Sequence, residues 1–397
     1  MSDASPLHPS HDFDDKRRFA GIAAAIGAVS AVGTSVSLAM PLLAVVMEKH
    51  GVSNFMIGAN TAAAGVASLL CTPFVPALAR RVGPAWLLLW SVVIGTALFP
   101  LFYVFDSLPA WFVLRFIFSM ALNATFILSE FWINALAPTA RRGFVMGVYG
   151  TILSFGFAVG PAILSFAGSD GFLPFAIGTG ILALSIIPVV LGLGSAPPME
   201  GGRKGHFLHF LTVVPLATFA AFAMGSVESS VMNFAAIYGL RLGFPEHMAT
   251  QLVVAVAVGN ILSQFPAGYL ADKMDKRILL LLIATVGAIL AAVTPLFAGS
   301  FVWLLIMIGA CGGVAACLYT VGLTHLGARL SGADLASANA AFIFMYSIGM
   351  LLGPATTGYG MDAIGPHGFL IVCSLFLGAY ALLAAWRILT VRRSTAE

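Results

Sequence analysis

The segment FPAGYLADKMDKR, from Phe265 to Arg277, concentrates charge in a chain that otherwise carries little of it. Five charged residues fall in its last six positions, although Asp, Glu, Lys and Arg make up only 9% of the sequence. A second segment, TPFVPALARRVGP from Thr72 to Pro84, shares its proline, its Leu-Ala pair and its basic residues. Both segments separate long apolar runs, which indicates corresponding loops of a duplicated membrane protein.

The composition places most of the chain in a membrane. Of its 397 residues 60% are hydrophobic, and a soluble protein of this size needs far more surface charge. A membrane-spanning helix needs about 20 apolar residues, and backbone groups in lipid must be hydrogen-bonded internally. We therefore predict an all-α integral membrane protein with twelve transmembrane helices. The predicted runs are 20–47, 55–78, 84–105, 109–134, 143–167, 171–193, 209–239, 246–271, 277–297, 301–328, 334–360 and 366–390.

The twelve runs form two copies of one pattern. A shift of 192 residues places Leu78 on Leu270, and a shift of 193 places Gly160 on Gly353. Such repeats are typical of secondary transporters, whose binding site lies between the halves. The predicted units are a tail (1–19), a six-helix half (20–193), a linker (194–208), a second six-helix half (209–390) and a tail (391–397).

Basic residues predict the orientation of the chain. Cytoplasmic loops carry an excess of Lys and Arg. If the N-terminus is cytoplasmic, Lys49 and Arg241 are the only basic residues in loops on the other side, out of 19 in the chain. We therefore predict that both termini and the linker are cytoplasmic.

The charged loop resembles the loop between helices 2 and 3 of the major facilitator superfamily, which that superfamily repeats between helices 8 and 9. The matching residues are Gly268, Leu270, Ala271, Asp272, Lys273, Lys276 and Arg277, while Asp275 replaces a glycine of the motif. The first-half copy has Arg80 where the motif has its aspartate. The resemblance implies a cytoplasmic gate, and simple anchoring of the loops by basic residues is the alternative. The expected gate residues are Asp272, Lys273, Arg277, Arg81, Glu130 and Arg142.

Helix 5 carries a glycine pattern that resembles the antiporter motif of drug–proton exchangers in the same superfamily. Its residues are Gly147, Gly156, Gly160 and Pro161, and helix 11 repeats the end of the pattern with Gly353 and Pro354. Glycines spaced by four allow close helix contact, and proline permits a bend. Ordinary tight packing is the alternative. The run SEFWINALAPTARRG also resembles the YcaD-like branch of the superfamily.

Three charged residues, Arg115, Glu130 and Glu228, fall inside the predicted spans, where a charge is costly and usually functional. Arg115 also resembles the helix-4 arginine that the superfamily's antiporters use in proton coupling. We predict that Glu228 carries a proton and that Arg115 tunes it, whereas Glu130 belongs to the gate. Structural roles in packing are the alternatives. The expected cavity residues are Asn123, Ser119, Thr34, Ser37, Ser229, Asn233 and Tyr319.

These patterns favour a proton-coupled antiporter that exports small amphiphilic or apolar molecules by alternating access. Proton-coupled uptake of a small metabolite, such as an organic acid or sugar, is one alternative, and a non-transporting sensor or lipid-handling protein is another. The sequence has no Walker loop, metal-ligand spacing or nucleophile–base pair, so we expect no enzyme activity, cofactor or metal. The expected partners are a small molecule, protons and lipid, without nucleic acid, for a monomer in a bacterial inner membrane.

Overall fold

A computed structural model describes residues 15–137, 142–197, 207–330 and 332–394. Within these ranges the chain forms twelve helices of 15 residues or more, joined by short turns and one-turn or two-turn helices. The long helices are α1 (Asp15–Lys49), α2 (Asn54–Cys71), α3 (Pro84–Leu98), α4 (Leu108–Leu136), α5 (Arg142–Ala167), α6 (Leu173–Gly192), α7 (Pro215–Arg241), α8 (Glu246–Lys273), α9 (Lys276–Val293), α10 (Phe301–Gly327), α11 (Gly332–Ile364) and α12 (Gly368–Ser394).

Ten of these helices in the described ranges are long and apolar enough to cross a membrane. The other two are α5, whose apolar part Thr151–Ala167 is shorter, and α7. Helix α7 carries Glu228, three serines and an asparagine near its middle, yet it is buried along nearly its whole length. A polar helix can occupy the centre of the bundle because neighbouring helices shield it from lipid. The predicted twelve-helix, all-α fold is confirmed.

Successive helices run in opposite directions, so the bundle has two faces. We call the face with the end of α1 and the start of α2 the far face, and the opposite one, which carries the described chain ends, the near face. Tight turns at the far face use glycine in the left-handed region, with φ of 72° at Gly51 and 87° at Gly243. These two turns correspond in the repeat, and only glycine adopts such a backbone without strain.

Both halves pack by the same pairs of helices. Helix α5 lies against α1 as α11 lies against α7, and α2 contacts α4 as α8 contacts α10. A side chain at Gly160 would collide with α1 and one at Gly156 would be tightly crowded by it, while one at Gly349 or Gly353 would collide with α7. The glycine pattern of helix 5 therefore provides close packing inside each half. The exact ends of the halves stay predictions, and most of the linker 194–208 lies outside the described residues.

In the described ranges the two halves meet mainly along three helix pairs. Helix α2 packs against α11, α5 packs against α8, and α1 packs against α7. At the first crossing, a Cβ on Gly58 would overlap the carbonyl of Pro354, and one on Gly358 would overlap the carbonyl of Asn54. The backbones of the two halves thus approach each other as closely as glycine allows.

One residue of the charged loop has a local role. Asp275 is the N-cap of α9, and its Oδ1 accepts the backbone N–H of Arg277 at 2.8 Å. Such a cap contributes about 1 kcal/mol to helix stability. The aspartate that replaces the glycine of the loop motif therefore starts the next helix.

Candidate transport site and gates

Ion pairs join the two halves at the far face. Lys49, at the end of α1, lies 2.6 Å from Glu246 at the start of α8 and 2.8 Å from Asp170. Arg241, at the end of α7, donates from Nε to Glu48 at 2.7 Å and from a terminal nitrogen at 3.2 Å. Lys49 and Arg241 occupy corresponding positions of the repeat, so each half contributes one basic residue that binds an acid of the other.

Asp362, near the end of α11, binds the first turn of α2 in the other half. One carboxylate oxygen accepts the backbone N–H of Asn54 at 3.1 Å and its side-chain amide at 2.6 Å, and the other accepts the N–H of Phe55 at 2.8 Å. These N–H groups have no partner within their own helix, and the positive end of the helix dipole favours a carboxylate there. Asp362 therefore fastens α11 to α2.

A matching contact joins α5 to α8. Glu246, in the first turn of α8, accepts the backbone N–H of Ser169 at 2.6 Å. Ser169 corresponds to Asp362 in the repeat, and Glu246 corresponds to Asn54. The sequence analysis did not identify these far-face residues, although the repeat offset that relates the halves also relates the two contacts.

Contacts between the halves close the far face, and the described residues form no equivalent contacts at the near face. In the part of the chain that the structure describes, every hydrogen bond and ion pair between the halves lies in the far portion of the helices; the deepest joins the Thr61 hydroxyl to Asn233 at 2.8 Å. In this conformation the contacts between the halves therefore hold the far face closed.

Glu228 lies at the middle of the bundle. It is partly buried on α7, where its carboxylate accepts the Tyr346 hydroxyl of α11 at 2.6 Å. It lines a narrow crevice between α7, α8 and α10 with apolar side chains such as Met224 and Val256, and Asn260 is the other polar residue of that lining. Tyr346 was not among the predicted site residues, because a single tyrosine in an apolar run gives no distinctive signal.

Three tyrosines surround this centre at one height. Tyr149 on α5, Tyr319 on α10 and Tyr346 on α11 each lie 18 residues from the far end of their helix, about 27 Å along its axis. The rings of Tyr319 and Tyr346 are 5.8 Å apart in an edge-to-face arrangement. Tyr319, predicted as a cavity residue, interacts electrostatically with Glu228 of its own half and with Glu130 of the other.

Glu130 lies toward the near face, where the Tyr149 hydroxyl donates to it at 2.8 Å. It was predicted to bind Arg81 or Arg142 in the gate. Arg81 is exposed, and the side chain of Arg142 lies outside the described part of the chain. Glu130 therefore adjoins the tyrosine cluster in this conformation, and its gate role stays a prediction.

Arg115 is 3% exposed on α4, and within the described ranges it has no hydrogen-bond or ion-pair partner. Glu228 binds Tyr346 instead. Arg115 lies seven residues from the far end of α4 and Glu228 lies 13 from that of α7, so their heights differ by about 9 Å. Their approach in the opposite conformation stays a prediction.

Most of the predicted cavity residues make hydrogen bonds within or between helices. Asn123 accepts the Ser68 hydroxyl at 3.1 Å, and Asn233 donates to the carbonyl of Ser229. Ser119 is partly exposed on the same side of α4 as Asn123. The hydroxyls of three further predicted residues donate to backbone carbonyls. Thr34 binds the carbonyl of Ser30, Ser37 binds those of Thr34 and Gly156, and Ser229 binds that of Gly225.

Four of the predicted near-face gate residues can be followed in the described ranges. Asp272 and Arg81 are exposed, and among the described residues neither forms an ion pair or a hydrogen bond through its side chain. Lys273 binds Tyr269 one turn earlier, through its hydroxyl and its ring face. Arg277 interacts electrostatically with His325. Gly147 of the bend motif lies on α5, but its surroundings fall outside the described part of the chain.

The family comparison is specific. The protein-family sequence model described as Major Facilitator Superfamily matches residues 25–255 and, in a second match, residues 217–397. The chain is 27% identical over 347 residues to the uncharacterized MFS-type transporter YfkF of Bacillus subtilis (strain 168), covering 84% of this chain and 87% of that one. It is 23% identical over 283 residues to the uncharacterized MFS-type transporter YcaD of Escherichia coli O17:K52:H18 (strain UMN026 / ExPEC), covering 69% and 71%.

Solved structures show the same fold. The nucleoside transporter NupG superposes with a TM-score of 0.72 at 16% identity, covering 94% of this chain and 98% of that one. A bacterial homolog of the human lysosomal transporter Spinster, in an inward-facing and unoccupied conformation, gives 0.72 at 15% identity, covering 95% and 99%. The chain therefore belongs to the Major Facilitator Superfamily, whose members are multi-pass secondary transporters and not enzymes.

Proposed function

We propose that this transporter is a proton-coupled antiporter that exports small amphiphilic or apolar molecules, and that Glu228 carries the proton. The observation that carries the proposal is the environment of this carboxylate. It is partly buried at mid-height, hydrogen-bonded by Tyr346 and set in an otherwise mostly apolar crevice. A carboxylate in such a position marks an ion pathway in membrane proteins.

The closed far face supports alternating access. If the termini are cytoplasmic, this conformation opens to the cytoplasm, where cargo enters and Glu228 releases its proton. When the far-face contacts break and the near face closes, the carboxylate meets the outside medium, takes up a proton and releases cargo. Rocking of the two halves about a central site is the general mechanism of such transporters.

Transport by purified protein in liposomes tests the proposal. We expect Glu228→Gln to abolish cargo movement driven by a proton gradient while exchange of cargo for cargo, which needs no proton, continues. The matched control is Asp334→Asn, which neutralises an exposed carboxylate at the start of α11. If Glu228→Gln moves cargo uphill with its pH dependence intact, the proposed proton site is wrong and Glu130 is the next to test.

The same assay separates the competing functions. An antiporter extrudes cargo against a proton gradient, a proton symporter accumulates cargo along it, and a sensor moves nothing. NupG is a nucleoside transporter, but at 16% identity its likeness concerns the fold, so nucleosides belong in the assay only as one class of metabolite for the symport alternative.

A further inference from the structure

Arg115 is a buried charge that no contact described so far accounts for. Its side chain is 3% exposed, and in the described ranges no carboxylate or carbonyl binds it. A guanidinium stays charged at any physiological pH, and it is strongly unfavourable inside a membrane protein without a counter-charge. A charge kept at such a cost points to a function, and the chemical complement of a guanidinium is an anion.

A polar stripe on α4 connects Arg115 with the centre of the bundle. Ser119 and Asn123 follow it at intervals of four residues, so the three side chains lie within about 80° of one helix face. Ser119 is partly exposed, and the described structure gives its hydroxyl no partner. Asn123 holds Ser68 of α2. The stripe therefore offers hydrogen-bonding groups along a path that ends at the guanidinium.

The far-face contacts close the bundle beyond Arg115. Arg115 is about 10 Å from the far end of α4. The ion pairs of Lys49 and Arg241 lie between it and the far surface. Glu228 and its mostly apolar crevice lie about 9 Å closer to the near face than Arg115 does. Along the helix axes, the crevice near Glu228 therefore lies between the level of Arg115 and the near face.

We propose that Arg115, with Ser119, binds the anionic head group of the cargo, a carboxylate or similar group on an apolar body. The planar guanidinium presents two parallel N–H donors that match the two oxygens of a carboxylate. The apolar body then lies along the Met and Val side chains near Glu228. The inference rests on the proposed function for the amphiphilic nature of the cargo, and it names the charge of that cargo.

Binding to the purified, detergent-solubilised protein tests the inference without any gradient. The probes are decanoate, decanol and decyltrimethylammonium, which share an apolar chain and differ in charge, and the readout is the midpoint of thermal unfolding. We expect decanoate alone to stabilise the protein. Arg115→Gln should weaken decanoate binding at least tenfold. Arg115→Lys should weaken it by less, because lysine keeps the positive charge but lacks the two parallel N–H donors of the guanidinium. Arg329→Gln, which neutralises an exposed arginine, is the matched control.

A second variant covers the case in which Arg115 variants fail to fold. Ser119→Asp places a carboxylate one turn from Arg115, where residues four apart on a helix contact each other. We expect it to raise the unfolding midpoint of the free protein and to remove the effect of decanoate. Ser119→Asn, of nearly the same size and uncharged, should do neither.

Three results would overturn the inference. Equal stabilisation by decanoate and decanol would show that the protein does not recognise the charge of the head group. Decanoate binding that survives Arg115→Gln or Ser119→Asp would place the anion elsewhere. An equal, Arg115-dependent effect of acetate at the same concentration would show a site for small free anions and not for an amphiphile. Glu228→Gln should retain decanoate binding, so failure here and failure of the proton proposal are distinguishable.

Discussion

Asp362 places a carboxylate of one half against the first turn of a helix in the other. Its two oxygens accept three N–H groups of Asn54 and Phe55. Hydrogen bonds to a charged group contribute about 1.5–3 kcal/mol each in folded proteins. Because these bonds cross between the halves, they exist only while the far face is closed. Asp362 therefore stabilises one conformation of the cycle selectively, which is the condition for shifting a two-state population.

We predict that Asp362→Asn increases opening of the far face. Asparagine keeps an acceptor but loses the charge at the helix terminus, which contributes about 1–2 kcal/mol in partly buried sites. Since 1.4 kcal/mol corresponds to a factor of ten, the far-open population should rise about tenfold. The measurement is the rate at which an impermeant thiol reagent labels Thr61→Cys, a buried position between the halves.

The control for this experiment is Asp106→Asn. Asp106 is also a far-face carboxylate, but its partner is His50 of the same half. Its neutralisation should leave the labelling rate unchanged. The four native cysteines are buried, which keeps the background low. Equal labelling rates in the Asp362→Asn variant and the parent would refute the role of Asp362 as a far-face fastener.

Single residues were only partly predictable from the sequence. Arg115, Glu130 and Glu228 were visible because a charge is rare in an apolar run, and the structure places all three inside the bundle. The partners of Glu130 and Glu228 were not visible, because Tyr149 and Tyr346 are ordinary residues of apolar helices. Which tyrosine meets which carboxylate depends on how helices distant in the chain pack together.

At the scale of elements, the close crossing of α2 and α11 allows the interface between the halves to be tested by mutation. Gly58 lies against the carbonyl of Pro354, so an added methyl group would have to separate two backbones. Overpacking of this kind costs about 1–3 kcal/mol. We predict that Gly58→Ala lowers the thermal unfolding midpoint and increases opening of the far face, measured by unfolding and by the Thr61→Cys labelling rate.

The matched control is Gly180→Ala in α6, where a Cβ would meet nothing within 4 Å. Alanine favours a helix over glycine by about 1 kcal/mol, so this variant should be neutral or slightly stabilising. The same chemical change is thus expected to act with opposite signs at the two positions. A similar loss of stability in both variants would contradict the assigned crossing.

Helices were more predictable than their boundaries and contacts. The apolar runs predicted twelve helices, and the turn glycines Gly51 and Gly243 occupy corresponding positions of the repeat. The runs did not predict that α1 begins at Asp15, since its first turns are polar. The glycine pattern of helix 5 predicted close packing, but the partner, α1, follows only from the folded arrangement.

At the scale of the molecule, the distribution of charge predicts the orientation in the membrane. The basic residues predict that the near face is cytoplasmic. We expect a cysteine at Asp170, which is exposed at the far face, to react with an impermeant thiol reagent in intact cells. A cysteine at Arg80, exposed at the near face, should react only after the cells are opened. The reverse pattern would invert the assigned topology and the direction of export.

The conformation of the whole molecule could not be predicted from the sequence. A repeat allows both open states, because the same helices line both faces. The near-face loop motif predicted a gate at Asp272, whereas the ion pairs of this conformation join Lys49 to Glu246 and Glu48 to Arg241 across the far face. These residues stand more than 190 positions apart, so no local pattern reveals their pairing.

The far-face ion pairs also connect the transporter with the salinity of its surroundings. Asp170 is 87% exposed and Lys49 is 35% exposed, so external ions reach this network directly. The screening length of salt water falls from about 8 Å at 0.15 M to about 3 Å at 1 M. If the far face is extracellular, a brine outside weakens the closed far face and leaves the near-face loops, bathed by the cell's own ions, unaffected. The same chain would then open outward more readily in a saline habitat than in fresh water.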